Sequence, residues 1–244
     1  MTDAPKRPYQ QVAASLVERI AREGYKPGDK FPTERQISTE MGISRSLVRE
    51  AFIMLEIEGY LDVRKGSGSY VMERTPREIE STQADFGPFE LLQARQLLES
   101  SVASFAATTV TKADILRLRE TLELERRSIE GGEVDYSADW QFHLQIAEAT
   151  QNSVLVDQID DLWRKRQASP MWAQLHDRIF DLGYRSKWLD DHAAILDALR
   201  HRNADGARHA MWQHLENVRL TLLELSDVDD PDFDGYLYST VKSG

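Results

Sequence analysis

The sequence predicts a mainly α-helical protein in two parts, an N-terminal winged helix-turn-helix and a C-terminal antiparallel all-α bundle of six or seven helices. Three observations carry this expectation. Within the first 75 residues, short helical stretches meet at a tight glycine turn and are followed by a basic, glycine-rich hairpin. Beyond residue 88 the apolar pattern is helical almost throughout, with no strand-like alternation. Between the two runs a polar segment rich in turn formers, which marks a boundary.

The first helix follows from Val12, Leu16, Val17 and Ile20, which recur at helical spacing until Gly24, with Pro27 and Gly28 just beyond. A second is expected over Thr33 to Met41: Thr33 can cap it, Glu34 suits its positive end, and Gly42 stops it. After Gly42-Ile43, Ser44 can cap a third helix, whose apolar stripe is Val48, Ala51, Phe52 and Leu55. Short strands at Tyr60–Val63 and Ser69–Met72 then flank the loop Arg64-Lys65-Gly66-Ser67-Gly68. This gives a reading head over 1–75, a linker over 76–87, a helical domain over 88–226 and an acidic tail over 227–244.

The expected bundle helices are Phe89–Thr108, Lys112–Glu130, Ala138–Thr150, Ser153–Ala168, Lys187–Arg200 and Ala204–Leu225, with irregular stretches around Gly131-Gly132 and over Ser169–Ser186. The net charge of −11 argues against nucleic acid only if read globally. Residues 1–75 hold 12 Lys/Arg against 11 Asp/Glu, and the remainder holds 18 against 30, so the acidity lies in the C-terminal part. A nearly neutral head whose cations share one face can still bind phosphates. The absence of cysteine excludes disulfides, thiol catalysis and iron–sulfur clusters, so any metal must be held by His, Asp and Glu. With no apolar run of membrane length and no secretory signal, the protein is expected to be cytoplasmic.

With the apolar stripe of the third helix turned inward, Arg45 and Arg49, four residues apart, share the outer face with Ser44 and Ser46. That face suits a DNA major groove, where guanidinium groups take phosphates or guanine edges. Arg35 sits where the preceding helix would cross the backbone, and Arg64-Lys65-Gly66 can enter the minor groove. Palindromic double-stranded DNA read by a homodimer is the partner this implies, since two half-sites multiply specificity. The segment PGDKFPTERQISTEMGISRSLVREAFIMLEIEGYLDVRKGSGSYV resembles the winged helix-turn-helix of the GntR family over its whole length. The resemblance implies DNA contacts from Arg35, Ser44, Arg45, Ser46 and Arg49, with Gly66 at the wing tip.

In the second part, Asp139 and His143 at i, i+4 emerge from one helix face. His192 and His214 lie on consecutive helices, at the separation expected for residues facing each other across an antiparallel pair. Taken singly, each is equally a hydrogen-bonded core histidine or half of a surface ion pair. His176, His201 and His209 are left outside the site, His209 because it points roughly 140° from His214 around a helix. The set Asp139, His143, His192, His214 resembles the ligand set of the FCD-type effector domain in the FadR-like branch of the GntR regulators. This implies a divalent metal, zinc first with nickel or manganese open, and an acidic effector met by Arg95 of an Arg-x-x-x-Glu pattern with Glu99.

The segments RPYQQVAASLVERI, GPFELLQARQLLES, FHLQIAEATQNS and AMWQHLENVRLTLLELSDVDDPDFDGYLY further resemble the hexuronate-utilisation repressors of that branch. That resemblance implies control of glucuronate or galacturonate catabolic genes, and release from the operator by a sugar acid such as fructuronate or tagaturonate. Gln141 and Trp172 are the candidates to shape the sugar pocket. The competing expectation is a metal-dependent hydrolase, in which the same Asp/His cluster activates water. No further residue presents itself as its general base, and the reading head would go unexplained.

Overall fold

The computed structural model describes residues 7–64, 67–73, 86–132, 135–179 and 183–227. Two compact units emerge. One comprises residues 1–89 together with 169–180 and 223–244; the other comprises 90–168 and 181–222.

The first unit opens with α1 (Pro8–Glu23), β1 (Lys30–Phe31), α2 (Glu34–Met41) and α3 (Arg45–Ile57), followed by β2 (Leu61–Arg64) and β3 (Gly68–Val71). The α2 start is doubly capped. Thr33 Oγ1 accepts from Gln36 N (3.2 Å) and the Gln36 side chain accepts from Thr33 N (2.8 Å). Gly42 ends the helix at φ 65°, a left-handed conformation that glycine adopts without strain, and Ser44 Oγ then accepts from Leu47 N to begin α3. The wing is a three-stranded antiparallel sheet in the order β1-β3-β2, with Lys30 opposite Tyr70 and Leu61 opposite Val71. The two-residue strand β1 is too short to leave a pattern in the sequence. Behind these elements Leu16, Phe31, Ile37, Val48, Phe52, Leu55 and Leu61 form one core.

Two segments beyond the linker also pack in this unit. One contains α8 (Pro170–Asp177), inside the stretch read as irregular; Ser169 caps it by accepting from Trp172 N, with Pro170 at its first position. The other is the chain from Leu223 to Asp227. Both are held by ions. The Glu34 carboxylate, 1% exposed, accepts from Arg49 Nε and from Arg178 Nη1 (3.2 Å), while Arg178 Nη2 donates to Glu56 (2.8 Å). Arg49 Nη1 donates to Leu223 O (2.8 Å) and to Ser226 Oγ.

A carboxylate shared by two buried guanidinium groups is costly to neutralise, because it leaves positive charge without compensation in a poor solvent. Glu34→Gln is therefore expected to destabilise the protein by about 3 kcal/mol, the low end for breaking a buried ion pair, since Glu56 still serves Arg178. Urea unfolding followed by circular dichroism measures it, and a midpoint equal to that of the parent would show the network contributes nothing.

The second unit is built from α4 (Pro88–Thr109), α5 (Lys112–Glu130), α6 (Ser137–Glu148), α7 (Ser153–Ala168), α9 (Tyr184–Arg200) and α10 (Ala204–Leu225), of which α4 begins and α10 ends in the first unit. Helix α5 packs on α6 and α9, and α6 on α7. Turns are fixed by specific groups: Thr111 caps α5 reciprocally with Asp114, and Arg202, at φ 52°, donates to Thr108 O (2.9 Å) and Val110 O (2.6 Å). The interior holds Leu118, Phe142, Ile146, Trp163, Ile195, Leu199, Met211 and Leu215. No helix among the described residues is long and apolar enough to cross a membrane.

Candidate metal and effector site

Asp139 and His143 project from one face of α6, His192 from α9 and His214 from α10; all four are buried, and one ligand atom from each lies within 4.8 Å of the others. His192 Nε2 stands 3.2 Å from His214 Nε2 and 3.6 Å from Asp139 Oδ1, and His143 Nε2 is 3.5 Å from the same oxygen. The two residues 22 apart meet because α9 and α10 turn back on each other near residue 203, so positions equidistant from the turn face each other. His176, His201 and His209 stand outside this cluster, and His201 is an exposed partner of Asp197.

Each ring also has a carboxylate on its other nitrogen. His143 Nδ1 pairs with Glu99, His192 Nδ1 with Glu125 (2.8 Å), and His214 Nδ1 faces Asp191 (3.5 Å), which itself accepts from Asn217. A proton held on Nδ1 leaves the Nε2 lone pair facing the cluster, the arrangement by which carboxylates orient metal-binding histidines. His143 Nε2 has no hydrogen-bond partner among the described residues. Burial alone would raise the carboxylates, yet neighbouring charges and hydrogen bonds hold each below its ordinary range: Glu99, beside Arg95 and His143, at about 2; Asp139, beside His143 and His192, lowered; and Asp191, hydrogen-bonded by His214 and Asn217, lowered. Burial, reinforced by His192, pulls His214 down to about 3, which keeps its ring neutral. Burial lowers His192 too, but Glu125 outweighs it and raises the ring overall. Convergent imidazole lone pairs in a shell of buried carboxylates fit a divalent cation.

Next to the ligands lies a group of cations stacked on aromatic rings. Arg95, 3% exposed, donates to Glu99 (2.6 Å) and lies 4.0 Å over Trp163, whose ring also faces His143 at 5.3 Å. Arg166 lies 5.0 Å from the same ring and 5.1 Å from Tyr136, and Arg185 covers Tyr136 at 4.8 Å. Tyr136 and Tyr184 share a hydroxyl hydrogen bond. Burial lowers Arg166 from its ordinary value; Asp139 opposes this and Arg95 adds to it. Sequence reasoning singled out Arg95 but not its neighbour Arg166, which sits in the basic last turn of α7 and so reads as a solvated helix end.

Gln141 is exposed on α6, roughly 200° around the helix from Asp139. Trp172, the other effector candidate, is buried in α8.

In the reading head, Arg35 is 60% exposed along its side chain, and Ser44 and Ser46 stand together with their hydroxyls 3.2 Å apart. Arg45 is half-buried against Asp227. Arg49 does share its helix face, as the spacing requires, but is wholly buried rather than available to a groove, because Glu34 and the segment from Leu223 to Asp227 cover it. Lys65 and Gly66 lie outside the described residues, as do most of the linker and the tail beyond Asp227.

A winged helix-turn-helix followed by a helical domain with a buried ligand cluster defines a ligand-responsive DNA-binding regulator. The chain belongs to the bacterial regulatory proteins of the gntR family, whose model matches residues 8–71, and residues 90–217 match the FCD domain. It is 52% identical to the "Uxu operon regulator" of Haemophilus influenzae, over 98% of this chain and 91% of that protein. It is 48% identical to the "Uxu operon transcriptional regulator" of Escherichia coli K12 (96% and 94% covered) and 47% identical to the "Exu regulon transcriptional regulator" of the same strain (96% and 92%). Among solved structures, "E. coli McbR/YncC" matches with a TM-score of 0.50 at 21% identity, over 90% of this chain and 99% of that one, a likeness of fold. The chain is thus a transcriptional regulator and not an enzyme, and nothing supports the metal-dependent hydrolase.

Proposed function

We propose that the protein is a cytoplasmic, homodimeric repressor of hexuronate-catabolism genes, released from a palindromic operator by a sugar acid bound beside a divalent metal. The observation that carries this reading is the coincidence, in one chain, of near-full-length similarity to Uxu and Exu regulators with the buried Asp139, His143, His192 and His214 cluster. Those four residues would hold the ion, zinc before nickel or manganese on ligand type. When bound, it supplies positive charge that attracts a carboxylate and an adjacent hydroxyl. Arg95 and Arg166 supply the remaining positive charge an anion needs within a strongly acidic domain. Arg35, Ser44, Arg45 and Ser46, with Lys65 and Gly66 of the wing, are the proposed DNA contacts. Dimer formation is supported by Leu97, Leu98 and Phe105, large apolar side chains exposed along α4.

The test is a fluorescent duplex carrying the promoter region of hexuronate-utilisation genes, titrated first with protein and then with hexuronates and their keto derivatives. Two chains per duplex, release by at least one of these acids and no change in the acid by chromatography are expected. Retention on the duplex against the whole panel would overturn the effector assignment.

A further inference from the structure

The arginines that would read DNA already hold an anion from their own chain. On α3, Arg45 Nη2 donates to Asp227 Oδ2, and Arg49 Nη2 lies 3.5 Å from Asp227 Oδ1. From α2, Arg35 Nη2 approaches Asp227 Oδ2 at 4.0 Å. Asp227 is 4% exposed, and the neighbouring Ser226 is wholly buried, with its hydroxyl on Arg49. One carboxylate therefore sits where three guanidinium groups of the helix-turn-helix converge.

We infer that the end of α10 is a self-mask, in which Asp227 occupies the place of a DNA phosphate on Arg45 and Arg35 and must be displaced before the recognition helix can enter a groove. The chemistry of the two occupants is the same, an oxyanion accepting charge-assisted hydrogen bonds from guanidinium. They compete for the same donor: Arg45 Nη2 is committed to Asp227, and Arg45 Nε is buried without a hydrogen-bond partner among the described residues, so a duplex phosphate can take this Nη2 only when Asp227 leaves it. Arg49 differs, because its Nε is committed to Glu34 whether or not Asp227 is present. The mask therefore acts on Arg45 and Arg35, and Arg49 anchors the segment that carries it. The helix that precedes this segment, α10, also carries His214 near its middle.

Competition of this kind lowers DNA affinity by the fraction of molecules that are unmasked. Asp227→Asn keeps the shape and removes the charge. Its affinity for a random-sequence duplex at low salt should rise about 5–10-fold, the factor a masked majority would withhold, with a steeper salt dependence as arginines become free to displace counterions. A melting curve on the same sample establishes that the variant is folded, and affinity equal to or below that of the parent in the folded variant would overturn the mask.

A second measurement leaves Asp227 in place. The chain has no cysteine, so Ser226→Cys introduces a single buried thiol. Adding duplex should speed its reaction with a maleimide dye several-fold, because DNA binding expels the segment. An unchanged or slower rate at saturating duplex would overturn the proposal.

Discussion

Replacing His214 by alanine is expected to give a folded protein that binds operator DNA, carries less than one metal ion per ten chains, and is no longer released by any hexuronate. The loss follows from the geometry of the cluster. Three imidazoles and one carboxylate would supply the four ligand atoms, so deleting one would remove a quarter of the donor set and leave Asp191 without its imidazole. Changes in the outer carboxylates alone typically lower metal affinity about 10–100-fold, and loss of a direct ligand should exceed that.

His214 is a cleaner choice than His192. The carboxylate left behind, Asp191, is partly exposed and still accepts from Asn217, whereas His192→Ala would strand the buried Glu125. An unsatisfied buried polar group costs about 1–3 kcal/mol, so His192→Ala should lose stability as well as response. Elemental analysis, a melting curve and the release assay, run on both variants and on chelated parent protein, separate the effects. Full release of the His214 variant by the same acid that releases the parent would remove the metal from the mechanism.

How far the sequence reached depended on the range of the interaction. Local chemistry was legible: Thr33, Gly42 and Ser44 act on neighbours within five residues, and all three end or begin helices where their types require. The Asp139, His143, His192, His214 cluster was legible because two spacings allow it, four residues along α6 and 22 across the α9–α10 turn, and the resemblance to the FCD domain singled those four out. The carboxylates behind the ligands were not. Glu125 meets His192 across 67 positions, and Asp191 sits beside the ligand His192 in sequence yet faces His214, so no periodicity points to either. Arg166 escaped for a related reason, since Trp163 and Tyr136 withdraw it from the solvent that a helix end normally offers. Arg49 shows the limit most clearly. Its position around α3 was correct, and its burial was set by Glu34, Leu223 and Ser226, two of them more than 170 residues away.

That burial divides two arginines that sequence alone treats as a pair. Arg45→Ala should weaken operator binding by about 1–3 kcal/mol, the range for losing a bidentate base contact, while unfolding changes less, because Asp227 keeps Arg49 and Arg35 beside it. Arg49→Ala should act in the opposite order. It removes the guanidinium that joins Glu34 to the end of α10, leaving Glu34 its pairing with Arg178 and taking from Leu223 O the Arg49 donor. A stability loss of about 3 kcal/mol is expected, at the low end for a broken buried pair because one partner remains.

Any loss of DNA binding by Arg49→Ala should then follow the unfolded fraction, and recover at a temperature where the variant is fully folded. Glu34→Gln provides the control, because it leaves the Arg49 guanidinium intact and removes only the charge it pairs with. If Arg49 is structural, the two single variants and the double variant should lose similar stability, so that the double falls well short of their sum, as for residues in direct contact. An Arg49→Ala protein as stable as the parent that nevertheless fails to bind operator would return Arg49 to the reading face and show that the segment covering it leaves when DNA arrives.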